Sequence, residues 1–174
     1  MLIRDLSKFG IRYGPGSAPH QGASLVLRRA RDTRPLMPKK HVVAAVGEIP
    51  PGGRKLVTAD GRAIVVFNLN GEFFALGNRC PHRGGSLCDG NLTGLVLSDE
   101  PGHYNYIRRG EIIRCPWHSW EFDIRTGKSW CDPDKVKARR FGVSVEKGAR
   151  LIEGPYVAET FRVSVENDYV VVEA

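Results

Sequence analysis

The chain has 174 residues, 41% hydrophobic and 26% charged, which is enough for one domain with a real core. No apolar run reaches membrane-spanning length, and no apolar stretch near the start suggests a secretory leader, so neither a membrane protein nor an exported one is expected. The formal charge of +7 lies wholly in residues 1–40, where nine Lys or Arg face Asp5 and Asp32; the remainder is balanced, so the globular part is not expected to bind nucleic acid.

Residues 1–36 are Arg-rich, acid-poor and punctuated by Gly14-Pro15-Gly16-Ser17-Ala18-Pro19, a composition of weak order. Two readings stand: a flexible targeting or docking arm, or a natural start at Met37. The second, or an arm of no consequence, is preferred. The expected division is a basic extension over 1–40 and a folded domain over 41–174.

From His41 onward the text alternates strand and turn. Val42–Val46 and Arg54–Thr58 flank Pro50-Pro51-Gly52-Gly53. Ala63–Leu69 and Glu72–Leu76 flank Asn70-Gly71, a strong type I′ hairpin signal. Glu111–Arg114, Trp120–Ile124, Val136–Phe141, Val143–Glu146, Phe161–Val165 and Tyr169–Val172 are further β-branched or aromatic runs. No window carries a long 3.6-residue period, so the fold class is all-β. Between them, Asn91–Arg109 reads as a surface loop or extra hairpin turning at Asp99-Glu100-Pro101-Gly102. A partner-docking lobe beside the site is the sharper alternative, with Tyr104 and Tyr106 as its contacts.

Two clusters carry the chemistry: Cys80-Pro81-His82-Arg83-Gly84-Gly85 and Cys115-Pro116-Trp117-His118-Ser119-Trp120. Each offers one thiolate and one imidazole. Two Cys and two His suit a [2Fe–2S] centre in which imidazoles replace thiolates on one iron, and they also make a tetrahedral zinc set. Zinc sites seldom draw one Cys and one His from each of two loops, which favours the cluster. Proline after each Cys pre-sets φ, and Gly84 and Gly85 permit close backbone approach.

The segments CPHRGG at 80–85 and CPWHSWEFDIRTG at 115–127 resemble the Rieske family. The resemblance covers about 41–174 and implies a Rieske-type β-sandwich with a small cluster-binding subdomain, preceded by the N-terminal arm. It implies one [2Fe–2S] cluster, with Cys80 and Cys115 on one iron and His82 and His118 on the other. Among family members the chain is similar to ferredoxin components of ring-hydroxylating oxygenases and to small subunits of nitrite reductases. The implied role is a single-electron carrier, taking electrons from a reductase and passing them to an oxygenase or reductase. Oxygenase catalytic subunits share a similar CPWH loop, but their mononuclear iron needs two further His and a carboxylate. No His follows His118, so catalysis by this chain alone is not expected.

High-potential members of the family carry an extra Cys in each ligand loop, joined as a disulfide, and a Ser and a Tyr after the second His. The matching positions here are Gly85 and Trp117, and Trp120 and Phe122, so neither the bridge nor the hydroxyl bonds can form. The expected potential is at the low end of the Rieske range, on the order of −150 mV. Cys88 and Cys131 are expected as buried free thiols in a reducing cytoplasm. Trp117 is expected to cover the cluster, Trp120 and Phe122 to join the core, and Asp123 and Arg125 to sit in a surface turn. Arg83 is a candidate to steer an acidic partner, and His20, His41 and His103 are expected at the surface.

Overall fold

A computed structural model describes residues 39–153, 156–157 and 166–174. The extension before Lys39, His20 within it and the run Phe161–Val165 lie outside the described residues. Strands β1 (Lys40–Ala45), β2 (Arg54–Ala59), β3 (Arg62–Leu69), β4 (Glu72–Gly77), β8 (Arg140–Lys147), β9 (Tyr156–Val157) and β10 (Asp168–Glu173) form one sheet in the order β2-β3-β4-β8-β10-β1-β9. Strands β5 (Asn91–Glu100), β6 (His103–Arg114) and β7 (Glu121–Asp123) form a second sheet in that order. A short helix α1 (Gly148–Glu153) follows β8.

The large sheet bends where β4 meets β8, at the pairs Ala75–Phe141 and Leu76–Arg140. Its two halves therefore face each other, and Val43, Val57, Ile64, Val66, Phe141, Val170 and Val172 fill the space between them. This is the expected sandwich. The two runs read separately over Val136–Phe141 and Val143–Glu146 are in fact loop and then one continuous strand. Helix α1 and the two-residue strand β9 had no readable signal, being too short for periodicity to show.

Strand β3 explains itself in a different way. A strand with one wet face alternates polar and apolar residues, but Ile64–Leu69 is buried at every position. Ile64 and Val66 point into the sandwich, while Val65, Phe67 and Leu69 point out of it. On that outer face they meet Leu76, Leu87, Ile113, Phe122, Ile124 and Ala138. The second sheet is thus docked on the back of β3 and β4, and Cys80 and Cys115 belong to the core between them.

Turn chemistry fixes the hairpins. Asn70 (φ 55°) and Gly71 (φ 98°) both adopt the left-handed conformation a type I′ turn requires. The Asn68 amide accepts from Gly71 N–H and donates to Ile49 O, each at 2.7 Å, tying this turn to the first loop. The segment 91–109 is a hairpin, as its turn signal suggested. Pro101-Gly102 closes it, with Glu100 paired to His103 and Gly102 at φ 86°. Its ladder starts at Asn91–Arg114, next to Cys115. At a rise of about 3.3 Å per residue, the turn and Tyr104 lie on the order of 25 Å along the strands from that base. The tip with Tyr104 is therefore not beside the site, whereas the Tyr106 hydroxyl turns back toward the base and accepts from Gly94 N–H at 2.7 Å.

A bulge in β6 opposite Gly94, with Arg108 at φ 51° and Gly110 at φ 78°, turns Arg108 toward Glu111 (2.9 Å) and Asp123 (2.8 Å). Arg125 bonds Glu111 and reaches across to Glu72 at the β3–β4 turn, its guanidinium lying 5.0 Å from the Phe74 ring. Asp123 also caps the turn by accepting from Arg125 and Thr126 N–H. Asp123 and Arg125 thus do more than occupy a surface turn: they clip the second sheet to the first. His41 corrects another expectation. It is buried, because β1 has β10 on one side and β9 on the other.

Phe67 and Val66 are adjacent yet serve different cores. Phe67→Ala is expected to cost about 3–5 kcal/mol and Val66→Ala less. At matched loss of stability, only Phe67→Ala should shed the metal centre on mild heating, read by visible absorbance against circular dichroism. The Arg108 guanidinium holds the Glu111 carboxyl below its ordinary 4.5. A depressed carboxylate stabilises fully above the unfolded value and loses that contribution as pH falls through the folded one. Arg108→Ala should cost about 1–3 kcal/mol near neutrality, and its deficit against wild type in urea titrations should narrow as pH drops below 4.5.

Candidate metal centre

The two ligand loops are built alike. In the first, Cys80 N–H donates to Gly85 O and Gly84 N–H donates to Cys80 O, both at 2.8 Å. In the second, Cys115 N–H donates to Trp120 O at 2.8 Å and Ser119 N–H to Cys115 O at 3.0 Å. Both loops need a left-handed residue four positions after the Cys: Gly84 at φ 89° and Ser119 at φ 57°. Each loop hangs on a defined stem. Asn78, which the sequence reading passed over, joins the first stem by bonding Cys88 N–H (2.7 Å) and Ser86 Oγ (3.1 Å), while its own N–H donates to Ala63 O on β3. Its signal was faint: an Asn two residues before a ligand Cys. Arg114 and Glu121 pair across the base of the second loop, Nε at 2.9 Å and Nη2 at 2.6 Å from Oε1.

This geometry brings all four expected ligands together and sorts them by burial. Cys80 and Cys115 are each 2% exposed, and their sulfurs face one another. His82 is half-buried and His118 exposed, with rings edge to face at 5.0 Å. Burial pushes the Cys80 thiol up, against the opposing pull of the His82 and Arg83 backbone N–H groups directed at its sulfur. These donors are main-chain amides; no hydroxyl bonds either sulfur among the described residues. Phe122 is fully buried beneath the site, and Trp120 stacks on His82 at 4.9 Å, so Trp120 is core and ring support together.

Three observations test whether an iron–sulfur cluster fits. His82 Nδ1 is buried and has no hydrogen-bond partner, a cost that a metal bond would remove. A Cβ on Gly85 would stand 3.0 Å from Cys115 Sγ and 3.0 Å from the Trp117 ring, so only glycine lets the loops approach this closely. Among the described residues no three His, Cys, Asp or Glu gather around one point, as a mononuclear zinc site needs. A two-iron unit needs only two protein ligands per iron. The residues present fit the cluster.

Trp117, 62% exposed, lays its ring on Gly85. Its ring and the Cys115 sulfur both close on Gly85. Cys88 and Cys131 are both free, but Cys131 is exposed and Cys88 only half-buried, contrary to expectation. Cys131 sits in bends and turns over 130–135, where every residue is exposed or half-buried.

The sequence profile of the Rieske [2Fe–2S] domain matches residues 39–142, and the chain belongs to that family. It is 32% identical over 108 residues to the ferredoxin subunit of 3-phenylpropionate/cinnamic acid dioxygenase from Photorhabdus laumondii, covering 61% of this chain and 86% of the relative. It is 33% identical over 96 residues to the biphenyl dioxygenase ferredoxin subunit of Pseudomonas sp. strain KKS102, covering 53% and 74%. In fold it is similar to the ferredoxin of carbazole 1,9a-dioxygenase from Nocardioides aromaticivorans IC177, with a TM-score of 0.51, 20% identity and coverage of 78% of this chain and 97% of that one. The protein carries one [2Fe–2S] cluster and its role is electron transfer. No helix among the described residues is long and apolar enough to cross a membrane.

Gly85→Ala is expected to abolish cluster incorporation, leaving a colourless folded protein by iron and sulfide analysis. Gly47→Ala, where a Cβ meets nothing within 4 Å, should retain the full complement.

Proposed function

We propose that this chain is a Rieske ferredoxin in which Cys80 and Cys115 hold one iron, and His82 and His118 the other. The observation that carries this is the pairing: two facing buried thiols beside two imidazoles, one with an orphaned inward nitrogen. When bound, the cluster accepts and gives up one electron at a time. The chain's own residues do the rest. Phe122, Leu87 and Ile113 keep water from the sulfur side, while the half-buried and exposed imidazoles leave the other side open as the electron port.

The donor is read as a reductase and the acceptor as an oxygenase or a second reductase, in line with relatives that are dioxygenase ferredoxin subunits. No membrane and no nucleic acid take part, and the setting is the cytoplasm, where free Cys88 and Cys131 stay reduced. The folded unit is assigned to 41–174 and the basic extension to 1–40. Sulfurs bonded by main-chain amides, with Trp120 and Phe122 where hydroxyl donors would stand, support a low potential, near −150 mV by order of magnitude.

Electron paramagnetic resonance of the reduced protein should give the rhombic signal of a mixed His/Cys two-iron centre, and potentiometry a negative midpoint. A clearly positive midpoint would contradict the low-potential reading. His82→Cys should change the signal toward that of an all-thiolate cluster or erase it; an unaltered spectrum removes His82 from the ligand set.

A further inference from the structure

Beside the first loop lies an open cavity of about 290 Å³, lined by Arg79, Cys80, Pro81, His82, Arg83 and Gly84. Two of its six residues are arginines, and two are proposed ligands. Most other arginines of the domain are spoken for: Arg62, Arg108, Arg114, Arg125 and Arg150 pair with carboxylates, and Arg109 and Arg139 lie over aromatic rings. Among the described residues Arg79 and Arg83 have neither an ion pair nor a ring partner. Arg79 is nevertheless held in place. Its backbone bridges to Ser86, and its guanidinium rests on Gly84, where an added Cβ would stand 3.2 Å from Nε.

We propose that Arg79 and Arg83 form a cationic seat for a carboxylate side chain of the redox partner, fixing the partner over His82. The proposal rests on the electron-transfer reading above. Guanidinium matches carboxylate in a planar, two-bond geometry, and a preorganised one loses less freedom on binding. Pro81 in its lining is exposed, and so is Trp117, whose ring lies on Gly85 next to the lining residue Gly84, so the seat adjoins an apolar, aromatic surface. Arginine beside tryptophan is the composition of a protein-binding surface rather than of a free-anion site. Since residues 41–174 are formally balanced, no overall field competes with this local one.

The test uses the full chain carrying its cluster, reduced and mixed in a stopped-flow with ferricyanide (anionic) or tris(phenanthroline)cobalt(III) (cationic). Arg79→Gln/Arg83→Gln should slow ferricyanide about tenfold at low ionic strength and flatten its salt dependence. The cobalt reaction should stay level or speed up, and the midpoint should not move enough to account for the change. Hexaglutamate should inhibit the wild-type ferricyanide reaction more than inorganic phosphate at equal ionic strength. The exposed Arg83→Gln alone should show at least a roughly threefold effect, which decides the matter if the double variant fails to hold its cluster. Unchanged rates in that single variant, a midpoint shift that explains the slowing, or phosphate matching the peptide would each overturn the seat. A wild-type protein lacking the rhombic signal would instead overturn the electron-transfer reading itself.

Discussion

Everything in this domain leans on the outer face of β3. A ligand set drawn from two loops works only if the loops cannot drift apart, and loops alone do not hold position. Val65, Phe67 and Leu69 give the second sheet a dry surface to close against, and the Cys80 and Cys115 side chains are part of that closure. The thiols are therefore placed by the same burial that joins the sheets. The ionic clip from Glu72 through Arg125 and Glu111 to Arg108 and Asp123 sits at the margin of that core and fixes its orientation. Burial supplies the free energy; the clip supplies the register.

The site's asymmetry follows from the same arrangement. The loops share one backbone pattern but hold His at the second position after Cys in one and the third in the other. One imidazole therefore stays half-buried under Trp120 while the other stands exposed. Sulfur faces the protein and nitrogen faces solvent. On the proposed ligation, the shortest path for an electron is through the imidazole side, beside the exposed Trp117.

How much of this could be read beforehand depends on the range of the interactions. The type I′ turn at Asn70-Gly71, the Pro101-Gly102 turn and the four candidate ligands were legible because each is a local chemical requirement. The unbroken apolar run of β3 was legible as a strand, but that it serves two cores was not: a run buried on both faces looks the same whatever covers it. Asn78, Arg108 and His41 were missed or misplaced for a related reason. Some of their partners lie on β3, on β7 and on strands β9 and β10, far away in sequence, and nothing near them announces those neighbours. Cys131 erred in the other direction: cysteine's general preference for burial lost to a polar stretch of turns.

The long β5–β6 hairpin bears on how such a carrier chooses partners. It begins at the base of the second loop yet ends on the order of 25 Å away along its strands, so the exposed Tyr104 near its tip cannot touch the same small patch of a partner that covers His118. On the proposed docking, selectivity near the port comes from groups that share its surface: Trp117 for area, and the arginines of the first loop for charge. Charge at the port acts on encounter, where long-range attraction raises the rate of productive approach. Aromatic area acts on residence, by excluding water once contact is made. An electron carrier has to leave after each transfer. A port that draws its partner by a few exposed charges and holds it with a single exposed tryptophan meets that need better than a broad apolar face would, because the attraction is screened within about a Debye length and the buried area stays small enough to release.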